Sequence, residues 1–216
     1  MSVPPIARRS VLAAGLCLLA ACRSGPPAGP PLAAGAPVLA FGDSLTFGTG
    51  ADPGSAWPAR LAHASGWRVA NAGRPGATTE TGLQALDGAL AAAPPSAVLL
   101  GLGGNDFLRG IEPARTEANL AEMVTRCRSA GARVLLIAVP RPSVFAAAAR
   151  SLSDHPVFEA VGRRSGTPVL ADAWSEVLST PSLRADPIHA NAQGYERFTV
   201  LLTARLRELG WMAGRA

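Results

Sequence analysis

With 216 residues, 48% hydrophobic and 16% charged, the chain is long enough to bury one sizeable core and too apolar to stay disordered. Its net charge of +5 is carried without lysine, since all 20 basic residues are arginine. These arginines are scattered, adjacent only at Arg8-Arg9 and Arg163-Arg164, and no aromatic residues interleave with them, which excludes the footprint of a nucleic-acid binder.

The chain opens with Arg8 and Arg9, then an uncharged apolar run from Val11 to Ala21. Such a run is too short to span a bilayer, which needs about 20 residues. It fits a cleaved export signal over residues 1–21. Leu19-Ala20-Ala21-Cys22 resembles a bacterial lipobox, in which the cysteine thiol takes a lipid. Arg8-Arg9-Ser10-Val11-Leu12 resembles a twin-arginine signal only faintly, so the export route stays open. Residues 22–36, rich in Pro, Gly and Ala, read as the lipidated N-terminus and a flexible tether. The expected location is the bacterial envelope, in the periplasm or at the outer membrane, with membrane contact through the lipid at Cys22. Cleavage removes Cys17 and acylation occupies Cys22, leaving Cys127 without a disulfide partner. Leu120, Met123, Val124 and Cys127 recur at helical spacing, which predicts that this thiol is buried.

From residue 37 to 216 one domain is expected, alternating short apolar runs with helical stretches. The predicted strands are Val38–Phe41, Arg68–Ala72, Ala97–Leu102, Val134–Val139 and Val169–Ala171. The predicted helices are Ala56–Ala64, Gly82–Ala92, Thr116–Ala130, part of Ser143–Arg164, and Ala192–Leu209 with Asn191 as its N-cap. Phe198, Leu201, Leu202 and Leu209 can share one face of that last helix. Strands alternating with helices imply βαβ units and a parallel sheet. Continuous runs such as Val134-Leu135-Leu136-Ile137 suit strands buried on both faces. Ligands of such sheets bind beyond the carboxyl ends of the strands, so the chemistry belongs in the loops that follow them.

Those loops hold Gly42-Asp43-Ser44-Leu45, Gly73, Gly103-Gly104-Asn105-Asp106 and, before the last helix, Asp186-Pro187-Ile188-His189. Serine is a poor nucleophile unless a base takes its proton. Of the three histidines, His63 lies inside a predicted helix and His155 in a polar turn, where a surface position is expected. His189 follows Asp186 by three residues, a spacing that lets the carboxylate bond the imidazole and hold the tautomer whose other nitrogen faces Ser44. The Ser44 and Gly73 amides and the Asn105 side chain are the candidate oxyanion donors. Phe107, Leu108, Pro140, Pro142 and Ile188 are candidate apolar lining. With no spaced pair among its histidines, the chain offers no metal site.

These four blocks, in this order, resemble those of the SGNH (GDSL) hydrolase family. Ala56-Trp57-Pro58-Ala59-Arg60-Leu61 and Gly103 to Gly110 look most like its bacterial thioesterase, lysophospholipase and arylesterase subgroup. The resemblance runs from about Pro37 to the C-terminus. It implies an α/β/α sandwich with a five-stranded parallel sheet of flavodoxin-like type. It also implies a monomeric enzyme hydrolysing small-molecule acyl esters or thioesters, with no cofactor. Ser44 lacks a Gly-x-Ser-x-Gly elbow, which disfavours the α/β-hydrolase fold. Two alternatives stay open. The same site could remove O-acetyl groups from carbohydrate. Alternatively, a flavodoxin-like binding lipoprotein could cradle a phosphate at Ser44 to Thr49, which leaves Asn105 and His189 without a task.

Overall fold

The computed structural model describes residues 1, 30–141 and 151–213. The expected export signal, Cys22, the start of the tether, Pro142 and the beginning of the Ser143–Arg164 stretch lie outside the described residues.

The five expected strands form one sheet. They are β1 Pro37–Gly42, β2 Arg68–Gly73, β3 Ala97–Gly101, β4 Arg133–Ile137 and β5 Val169–Leu170. Their order is β2-β1-β3-β4-β5, and every pairing is parallel. The helices are α1 Ser44–Phe47, α2 Trp57–Ser65, α3 Thr79–Ala92, α4 Gly104–Leu108, α5 Pro113–Ser129, α6 Val157–Ser165, α7 Ala173–Ser179 and α8 Ala192–Glu208. One helical layer joins α3, α5 and α6, and the other joins α2, α7 and α8, so the sheet is covered on both faces. That cover explains why β3 is buried at every position and reads as an unbroken apolar run. The edge strand β2 is largely exposed and carries a mixed sequence instead.

Local chemistry sets the helix ends. Thr78 and Thr81 form a reciprocal capping box that starts α3 at Thr79, three residues before the expected start at Gly82. The Asn191 side chain accepts the Gly194 N–H at 3.0 Å and starts α8 as expected. Along α8 the buried face is Tyr195, Phe198, Leu202 and Leu206, while Leu201 and Leu209 are only half-buried. Phe198 stacks on Trp174 of α7, with centroids 3.8 Å apart, and lies 5.6 Å from Trp57 of α2. Aromatic pairs of this kind contribute about 0.5–1.5 kcal/mol beyond their buried area. They fix the α8 N-terminus, and with it the loop that carries His189, against α2 and α7.

Cys127 is fully buried with Leu120, Met123 and Val124, and burial pushes its thiol up to about 12. It acts as a small apolar residue. The described part of the expected tether is not a flexible chain. Residues 30–36 are docked on the domain: Leu32 N–H donates to Trp211 O at 2.9 Å, Gly35 N–H to Gly66 O at 2.8 Å, and Arg133 to Pro30 O at 2.8 Å. Leu32 packs against the core, so this Pro- and Ala-rich stretch is fixed by backbone bonds that its composition does not advertise. Among the described residues no helix is long and apolar enough to cross a membrane.

Candidate active site

The sheet register brings the chemistry together. Gly42 ends β1 opposite Gly73 of β2 and Gly101 of β3. Ser44 follows two residues after Gly42 and starts α1; Asn105 follows four after Gly101, within α4. His189 arrives from the opposite end of the sequence, on a loop stitched by an Arg184–Ala190 bridge and by Asn191 Nδ2, which donates to Ser182 O at 2.8 Å.

His189 Nε2 lies 3.0 Å from Ser44 Oγ, and His189 Nδ1 lies 2.7 Å from Asp186 Oδ2. The other Asp186 oxygen accepts the Ile188 and His189 amide N–H groups, both at 2.8 Å. Partial burial pushes the Asp186 carboxyl up. The His189 side-chain bond, the Ile188 amide and the nearby imidazole outweigh it and hold the group below its usual range. The carboxylate is therefore ionised at neutral pH and orients the ring from a largely solvated position, with 46% of its side chain exposed against 15% for His189.

Of the three expected oxyanion donors, two have competing partners. The Ser44 amide has no acceptor among the described residues. Asn105 Nδ2 donates to Ala77 O at 3.0 Å and stands 3.5 Å from Asp43 Oδ2. The Gly73 N–H is engaged by Asn71 Oδ1 at 3.0 Å. Gly73 is glycine for packing: a Cβ there would come within 2.2 Å of the Phe47 amide nitrogen. Three residues on, a second amide stands without a partner among the described residues. Ala77 N–H donates to Arg74 O at 3.0 Å, closing a turn in which Gly76 adopts φ +78°, a conformation that favours glycine. The Gly76 amide has no acceptor among the described residues, and the neighbouring Ala77 carbonyl is the one that holds Asn105. The sequence reading named Gly73 alone, and the positive φ that marks Gly76 is visible only in the structure.

The apolar lining is mixed. Leu108 at the end of α4 and Ile188 on the His189 loop are exposed, and so is Phe47 in α1, which the sequence reading missed. Phe107 instead turns back and stacks on His155, with centroids 3.9 Å apart at 9°. His155 is thus half-buried, where a surface position was expected. Burial, helped by Arg141, lowers its pKa. Pro140 is half-buried in a bridge with Asp154. His63 is exposed on α2. A concavity of about 1660 Å³ lies along the β5 edge, lined by residues that include neither Ser44 nor His189.

Two buried carboxylates escaped the sequence reading. Asp106 is fully buried and accepts bonds from Thr79 N at 2.8 Å, the Thr79 hydroxyl at 2.5 Å and the Thr116 hydroxyl at 3.3 Å, tying α4 to α3 and α5. Asp43 is 2% exposed and caps α1 by accepting the Leu45 N–H at 3.0 Å. Burial pushes its carboxyl up to about 6 against the opposing pull of the Leu45 bond and His189.

A doubly wound five-stranded domain with a hydrogen-bonded serine–histidine–aspartate line beyond its strand ends defines the class. A model of the GDSL-like Lipase/Acylhydrolase family matches residues 40–197, a span that includes every one of those side chains. The chain belongs to this family. It is 41% identical over 115 residues to "Esterase TesA" of Pseudomonas aeruginosa, a match covering 51% of this chain and 57% of that protein. It is 32% identical over 159 residues to "Thioesterase 1/protease 1/lysophospholipase L1" of Escherichia coli K12, covering 71% of this chain and 75% of the relative. The chain thus spans little more than half the length of the first relative and three quarters of the second. Among solved structures, a crystal structure of TesA superposes with a TM-score of 0.71 at 32% identity, covering 80% of this chain and 99% of that one. The SGNH-hydrolase family esterase AlinE4 superposes with a TM-score of 0.61 at 27% identity, covering 82% and 97%.

Proposed function

We propose that this protein is a serine hydrolase that cleaves carboxylic esters and thioesters through an acyl-enzyme. The observation that carries this reading is His189, held between Ser44 Oγ at 3.0 Å and Asp186 Oδ2 at 2.7 Å. Ser44 Oγ attacks the acyl carbon while His189 Nε2 takes its proton. His189 then returns that proton to the departing alcohol or thiol, leaving the acyl group on Ser44. Water, deprotonated by the same nitrogen, repeats the attack and frees the acid. Asp186 holds the ring and favours its protonated form. The Ser44 and Gly76 amides and the Asn105 side chain stabilise the oxyanion, with Gly76 replacing Gly73 in that role. Exposed Phe47, Leu108 and Ile188 give the mouth an apolar rim suited to an acyl chain.

The names of the relatives, esterase and thioesterase, agree with this substrate class. Nothing in the site's geometry favours carbohydrate deacetylation, and the phosphate-cradle reading leaves the Ser44–His189 bond without a purpose. The decisive experiment is a chain-length series of p-nitrophenyl esters and acyl-CoAs, combined with a serine-directed fluorophosphonate. Hydrolysis with label on Ser44 alone is expected, and label on another serine would overturn the assignment. Export and a lipid at Cys22 belong to the same proposal, and the intact mass of detergent-extracted protein tests them. An unmodified Cys22 in the mature protein would refute the anchor.

A further inference from the structure

The Asn105 amide nitrogen carries two hydrogens. One is committed to Ala77 O at 3.0 Å; Asp43 Oδ2 is the acceptor nearest the other, at 3.5 Å. That separation is too long for a strong bond, which has its mode near 2.9–3.0 Å, so an oxyanion can compete for the hydrogen. The same carboxylate is anchored at one end and lies close to α4 at the other. Its Oδ1 holds the Leu45 N–H of the nucleophile's helix, and its Oδ2 lies beside Gly104, where a Cβ would come within 3.3 Å. One buried group therefore spans α1 and α4, the two helices that must hold Ser44 and Asn105 in register across a single acyl carbon.

Building on the hydrolase reading, we propose that Asp43 is a positioning residue that sets the Asn105 amide against Ser44 and yields its hydrogen to the oxyanion. Asp43 touches no reacting atom and acts through Asn105. The charged groups around it are His189, which favours the anion, and Asp106, which opposes it, with Tyr195 also within its field.

Asp43→Asn separates this role from capping. The new side-chain carbonyl can still accept from Leu45, but its NH₂ then meets the Asn105 NH₂, donor against donor. Asp43→Ser keeps a good N-cap and leaves the Oδ2 position empty. Both variants should lower kcat on a p-nitrophenyl ester by about 10- to 100-fold, with KM within about twofold, because the loss falls on the transition state. In an Asn105→Ala background the Asp43→Asn change should cost less than about threefold, since coupled residues are non-additive. Near-UV circular dichroism and Tm establish that each variant is folded, and if one fails the other carries the test. The inference falls if both variants keep kcat within about twofold. It also falls if Asp43→Asn loses as much in the Asn105→Ala background as in the parent, which would mean that Asp43 works through Ser44's helix alone. Ser44→Ala distinguishes the two levels: full activity there refutes the hydrolase reading itself, whereas normal Asp43 variants beside an inactive Ser44→Ala refute only the positioning role.

Discussion

The two halves of the site are built by different means. The β1–β3 half, with Asp43, Ser44, Asn105 and Asp106, sits on strands paired along their length and is locked by buried carboxylates. The histidine half is a short loop that organises itself: Asp186 takes two amides of its own loop, and Asn191 ties that loop to the start of α8. Its carboxylate is nearly half exposed, while Asp43 and Asp106 have no solvent to help them. The contrast separates two tasks. Oxyanion donors must be held fixed before charge develops, which demands a dry and over-determined frame. A proton shuttle needs only the right tautomer and reach, which one hydrogen bond supplies.

Mutations at the junction of the halves should have the largest effect. Ser44→Ala and His189→Ala should each lower kcat/KM by at least about 10³-fold, and the double variant should be little worse, because the pair acts as a unit. Additive losses would mean that the halves work separately. Within the halves a graded difference is expected. Asn105→Ala should lower kcat by roughly 10²–10³ with KM nearly unchanged, whereas Asp186→Ala should lose no more than about 10²-fold, because water reaches its place and can accept from His189. The reverse order would refute the division of the site into a fixed and an adaptable half.

How much of this was legible in the sequence follows the same line. The sheet was legible because burial on both faces leaves continuous apolar runs, and all five strands lie within two residues of their expected ends. Helices α1, α4 and α7, of four, five and seven residues, were missed because so short a segment shows no periodicity. Ser44, Asp186 and His189 stood out because each chemical type sat in a loop on the ligand face, and the structure brings them within hydrogen-bond reach of one another. Gly76 was not considered, because sequence carries no record of the positive φ that sets it apart. Asp43 and Asp106 were quoted within their motifs but given no role, because nothing in the local sequence marks a carboxylate there as buried, and only the fold reveals that both lie inside. His155 was placed on the surface for a similar reason, since its partner Phe107 is 48 positions away in sequence and was itself assigned to the pocket.

The docking of residues 30–36 also has a directional consequence. These residues are pinned beside the C-terminal Trp211 and lead into β1 at its amino end, whereas Ser44 lies past its carboxyl end. With the strand rising about 3.3 Å per residue, a six-residue β1 puts roughly 20 Å between its amino end and the mouth. Attachment through the proposed lipid at Cys22 would reach the domain from that amino side and hold the protein by its back, with the apolar mouth turned outward. An enzyme tethered that way would meet acyl compounds arriving through the surrounding fluid or borne by a facing surface before it met those of the bilayer that holds it.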